Sequence, residues 1–211
     1  LSGQPAAGGA VEEQMARLLG GGGRGRSGGL GWWWHTPEDT VDKIDPAFLR
    51  RDASIYVLLL HRLCTVGRLP LDYRPVVADL RQNIEAIAAK AGAQFDLSPA
   101  LARIDVLAVA LDRLDERARE LEDATINRCL KRIARALIPV DYTRTGQFGQ
   151  DLAVPTSPLP GLQPAATLGS LDPGDDDYHF LLTNLVSERN RLVHALTVAT
   201  RAVDETLATS Q

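Results

Sequence analysis

The stretch LARIDVLAVALDRLDERAREL, residues 101–121, decides the fold class. Leu101, Ile104, Leu107, Leu111, Leu114, Ala118 and Leu121 step by threes and fours, and Asp112, Arg113, Asp115, Glu116, Arg119 and Glu120 fill the intervals. At 3.6 residues per turn the apolar positions share one narrow line, which predicts a long amphipathic helix whose seam packs inside a bundle or against a partner. A second seam, Leu182, Leu185, Leu192, Leu196, Ala199 and Val203, predicts a helix over about 178–208, interrupted by Arg189 and Asn190. A polar residue there either pairs inside the bundle or faces a partner.

Outward from these seams, Asp45-Pro46 and Ser98-Pro99 read as an N-cap followed by proline at the first helical position. The pair at 45–46 opens a helix to about Val66, with Phe48, Ala53, Tyr56, Leu59, Leu60 and Leu63 at helical spacing. A further helix is expected over 75–91 (Val76, Leu80, Ile84, Ile87, Ala88), and another over 124–137, closed by Pro139. Residues 140–177, rich in proline and glycine, read as a long connection over the surface. Asp175, Asp176 and Asp177 within it are more simply helix caps than calcium ligands. No run alternates with period two, so the expected fold is mainly α, a bundle of about five helices packed antiparallel.

The composition suits an ordinary globular chain: 211 residues, 45% apolar and 24% charged. A net charge of −4 supplies no overall field for nucleic acid, and the arginines at 113, 117 and 119 alternate with acids. No apolar stretch reaches the roughly 20 residues of a membrane span. Cys64 and Cys129 are far apart with no metal-binding spacing, so two reduced thiols are expected. The first residue is Leu1, the only methionine is Met15, and no signal peptide is visible; the expectation is a piece of a longer protein.

Eleven of the 18 glycines lie between Gly3 and Gly31, which disfavours regular structure there apart from a short helix near 11–19. The match of residues 23–28 to GxGxxG lacks the strand before it and the helix after it that a dinucleotide site needs. After this segment come all three tryptophans and then His35, in GWWWHTPEDTVDKID, residues 31–45. So much aromatic area in a loop anchors it to a core or lines a pocket. Thr36 and Asp39 have capping-box spacing, which would fix the chain just after the imidazole. Rigid flanks, an apolar shell and nearby carboxylates are what a histidine metal ligand requires.

Trp34-His35-Thr36-Pro37-Glu38-Asp39-Thr40 followed by Asp42-Lys43-Ile44-Asp45 resembles the last metal-ligand segment of the family-28 zinc metallopeptidases, the aminopeptidase and glutamate carboxypeptidase group. Residues 69–73 (LPLDY), 142–148 (YTRTGQF) and 189–194 (RNRLVH) are similar, more loosely, to the helical C-terminal region of some members, comparable to the dimerisation domain of the transferrin receptor. The resemblance implies an α/β catalytic domain with two zinc ions, peptide substrates, and His35 as the final zinc ligand. Trp34 would line the site where many members carry an aromatic hydroxyl. The family's other histidine, its bridging aspartate and its acidic pair would precede His35. Glu12-Glu13 lies too close to His35 to be that pair and is expected to be a solvated helix face.

The expectation is therefore two parts: residues 1–44 as the C-terminal remnant of a truncated zinc-peptidase domain, and 45–211 as a helical domain suited to packing or homodimerisation. Since the other ligands and the general base are absent, the chain alone is expected to be inactive. The alternative is a non-catalytic interaction module of the transferrin-receptor type.

Overall fold

The computed structural model describes residues 33, 36–146, 149–151 and 156–209. These belong to two compact units, one formed by Leu1–Val66 with Ala153–Thr156, the other by Gly67–Leu152 with Ser157–Gln211. The described secondary structure is helical, as the periodicity predicts.

In the first unit a 3-10 turn, Val41–Lys43, leads into α1, Pro46–Thr65. The cap forms as expected: Asp45 Oδ1 accepts the Ala47 N–H at 2.7 Å, with Pro46 in the first turn. The apolar positions of α1 expected to enter a core do not, because none of its residues is buried.

The second unit holds α2 (Arg74–Ala91), α3 (Ser98–Arg117), α4 (Asp123–Tyr142) and α5 (Asp176–Ala208). α5 has 33 residues, about 50 Å at 1.5 Å per residue, and packs on both α3 and α4, while α2 packs on α3. Both seams face inward: Ile104, Leu107, Leu111, Leu114 and Leu121 are buried, as are Leu185, Leu192, Leu196, Ala199 and Val203. The bundle itself uses them. On α2 the buried residue is Val77 rather than Val76, with Leu80, Ile84 and Ile87 buried as expected.

Three local expectations are corrected. Ser98 is the first helical residue and not the cap; the Asp96 carboxylate accepts its N–H at 2.8 Å. That bond, ahead of other effects, holds the Asp96 carboxyl below its ordinary range. Pro139 does not close α4, which runs on to Tyr142. It removes one ladder bond, to the carbonyl of Arg135, and both residues are exposed, so water can take that carbonyl. Residues 140–177 do not all lie over the surface: they contain a 3-10 helix, Gln163–Ser170, whose Ala165 and Leu168 are fully buried together with Leu159 and Leu162. This segment packs on α2 and α5.

Candidate functional site

His35 and Trp34, the residues to which the resemblance assigns a role, lie outside the described residues, as do the glycine-rich segment, the GxGxxG match and the Glu12-Glu13 pair. What is described is the chain on either side of His35. Thr36 turns back on Trp33: its hydroxyl donates to the Trp33 carbonyl at 2.6 Å and its N–H donates to the same oxygen at 2.9 Å. The Glu38 N–H reaches Thr36 Oγ1 at 3.3 Å, and the Asp39 N–H goes to the Thr36 carbonyl at 3.1 Å. Thr36 therefore fixes the chain direction, though through a side-chain turn and not the capping box its spacing suggests, and the helix waits until Pro46.

Downstream, Thr40 donates its hydroxyl to the Asp42 carboxylate, and Lys43 Nζ pairs with the same carboxylate at 2.6 Å. The Lys43 ammonium first, and the Thr40 hydroxyl second, lower the Asp42 carboxyl to about 2. α1 then carries an apolar run without cover. Phe48, Leu49 and every residue from Ile55 to Leu60 are between 51% and 68% exposed. His61 and Cys64 are exposed on the same helix.

Among the described residues, no three histidine, cysteine or acidic side chains converge as a metal site would require. His179 and His194 are exposed on α5, and Cys129 is buried, its thiol pushed up by burial.

In the second unit the structure brings two of the quoted segments together through Arg191. One nitrogen of its guanidinium donates to the Pro139 carbonyl at 2.7 Å and to Thr143 Oγ1 at 3.1 Å; the other pairs with Glu188 Oε2 at 3.1 Å. Longer contacts reach the carbonyls of Thr143, Arg144 and Thr145. The Asp151 carboxylate holds the other side of this loop, accepting the N–H groups of Arg144 (2.8 Å) and Thr145 (3.1 Å). The third segment begins at Leu69, whose N–H donates to Asn127 Oδ1 at 2.8 Å, while the Asn127 amide donates to the Gly67 carbonyl at 2.7 Å.

The chain matches no protein-family model, no curated protein and no solved structure.

Arg189 answers the question its place in the seam raised. It turns inward, with its guanidinium carbon 5.4 Å from the centroid of the Phe95 ring and Nη1 donating to the Asp96 carbonyl at 3.0 Å. Asn190 is exposed. Between α3 and α5 lies an open groove of about 340 Å³, walled by Val106, Val109 and Ala110 and edged by Asp105, Arg113 and Asp204. Sequence reasoning singled out none of Asp96, Asn127 or Asp151. Each is a short polar residue near a helix start or a loop; Asp96 caps locally through the Ser98 N–H, whereas the partners of Asp151 lie six and seven residues away and those of Asn127 about sixty.

Proposed function

We propose that this chain is the C-terminal portion of a two-zinc metallopeptidase of the exopeptidase type, contributing His35 as the last zinc ligand together with a helical packing or dimerisation domain. The observation that supports it is α1. A helix that follows a metal-ligand-like segment at once, and is apolar around its whole middle, suits enclosure by a larger domain and not a solvated surface. The two ions, when bound, would polarise the scissile carbonyl and lower the pKa of a shared water. The chain's own part is positional. The Thr36 turn fixes the chain that follows His35 in sequence, the Asp42–Lys43 pair holds a charged carboxylate seven residues on, and the Asp45 cap sets where α1 departs.

Zinc content and peptide hydrolysis test both halves of the reading. The chain by itself should bind no zinc pair and release no amino acid from peptides. Tight binding of two zincs with turnover would sink the fragment reading. In the longer polypeptide that the upstream coding sequence specifies, His35→Ala should strip zinc and activity, and retention of both would sink the ligand assignment.

A non-catalytic interaction module is the second reading, favoured by the same uncovered helix, which a protein partner could bury. Because the α3 and α5 seams are consumed within the bundle, a homodimer would have to use other surface. Sedimentation of the chain tests homodimerisation under either reading: a monomer at all accessible concentrations removes it, and zinc content of the longer polypeptide separates the two readings.

A further inference from the structure

We propose that the outer face of α4 is a peripheral docking surface for an anionic lipid bilayer. Ala124, Arg128, Lys131, Arg135, Ile138 and Tyr142 follow one another at intervals of four and three, so they form one line along the helix, and all six are exposed. The opposite side of α4 is the core side, where Ile126, Cys129, Leu130, Ile133, Leu137 and Val140 are buried.

Charge on this line is uncompensated. Arg128, Lys131 and Arg135 make no ion pair among the described residues, whereas most other arginines of the bundle do, including the neighbouring Arg132, paired with Glu205 at 2.7 Å. In a chain of net charge −4 these three cations form a local exception. They span about 10 Å of helix, and the line continues into Ile138, 52% exposed, and Tyr142, 68% exposed.

This order of chemistry, cations and then an aliphatic and an amphipathic aromatic side chain on one convex helix face, matches a bilayer surface. Phosphate and carboxylate headgroups meet the guanidinium and ammonium groups, while Ile138 and Tyr142 enter the headgroup boundary. A nucleic-acid backbone would satisfy the cations but give the Ile138 side chain nothing apolar to meet. The sequence pI of about 5.6 also lacks the basic excess of nucleic-acid domains. The proposal is independent of the peptidase reading.

Co-sedimentation of the whole chain with vesicles tests it, using phosphatidylcholine alone and phosphatidylcholine mixed with phosphatidylserine. Binding to neutral vesicles measures adsorption through apolar side chains, those of α1 together with Ile138 and Tyr142; the increment on adding phosphatidylserine belongs to the α4 cations. That increment should fall steeply with salt. Arg128→Glu/Lys131→Glu/Arg135→Glu should abolish it, at about fivefold per cation removed. Arg103→Glu, at an exposed position of α3 and equally unpaired among the described residues, controls for net charge and should cost no more than a single such step. Ile138→Ser/Tyr142→Ser should weaken the binding that persists at high salt. All four substitution sites on α4 outside Ile138 are polar or charged and exposed, and circular dichroism should register an unchanged helix content. The proposal is overturned if the triple variant, folded, binds anionic vesicles like the parent, if phosphatidylserine adds nothing, or if duplex DNA at equal phosphate concentration displaces the chain from the vesicles.

Discussion

Arg191 shows how much one side chain can organise when its geometry is forked. The guanidinium satisfies a carbonyl of the last turn of α4, a threonine hydroxyl and a carboxylate at once, something an ammonium on a flexible stem does not do. The Pro139 carbonyl that it caps also accepts the Thr143 N–H (3.2 Å) and hydroxyl (2.6 Å). Arg191→Ala leaves Glu188 partly buried without its partner and should lower stability by about 2 kcal/mol, measured from the urea midpoint; Arg191→Lys should recover only part of it. Gly161 matters for the same cluster, because a Cβ there would run into the Glu188 carboxylate that Arg191 holds. Titration gives two further tests of opposite sign. Asp42 is depressed, so its pairing favours the ordered turn above the ordinary carboxylate pKa and is lost as pH falls through about 2. Lys43→Ala should raise that midpoint, as followed by the Asp42 carboxyl resonance. Asp141 is raised, by burial first and the nearby Asp79 charge second, so ionising it opposes folding at neutral pH. Asp141→Asn should therefore raise the melting temperature near neutrality and lose that advantage in acid, below the ordinary carboxylate pKa.

At the scale of elements, what could be read in advance was what repeats. The α3 and α5 seams announced themselves because every third or fourth residue is apolar, and they are core. Pro139 misled because a proline was given the weight of a terminator, whereas near a C-terminus it removes a single bond, and Arg191 with Thr143 supplies new partners to the next turn. The 3-10 helix Gln163–Ser170 was invisible because its period is three over only eight residues, too short to leave a signature, yet Ala165 and Leu168 are fully buried. Leu168→Ala should cost about 2–5 kcal/mol, a loss that a surface loop would not show in a denaturant titration. Asn127 was illegible for a different reason. Its worth lies in joining Gly67 and Leu69, some 60 residues upstream, to α4, and no local pattern encodes a long-range pair of hydrogen bonds. The metal-ligand resemblance was legible only as a motif: the described chain around His35 provides turns and a cap, and no three potential metal ligands gather among the described residues.

For the molecule as a whole, the contrast lies between α1, with no buried residue, and a bundle whose core draws on every other α-helix. Hydrogen exchange should divide accordingly. Amides of α3, α4 and α5 should exchange slowly and together, while those of α1 exchange orders of magnitude faster until something covers it. Slow exchange throughout α1 in the isolated chain would remove the argument that this helix awaits a larger domain. α5 has a consequence of another kind. It comes last among the described helices, and it supplies a wall for α3, for α4 and for the 3-10 helix. During synthesis α2, α3 and α4 leave the ribosome with their apolar faces formed but unroofed, and they stay so until α5 has emerged. The nascent chain is thus at its stickiest until α5 has emerged, when holding by chaperones would matter most, and a stop codon near residue 170 should yield aggregate in place of a smaller folded bundle.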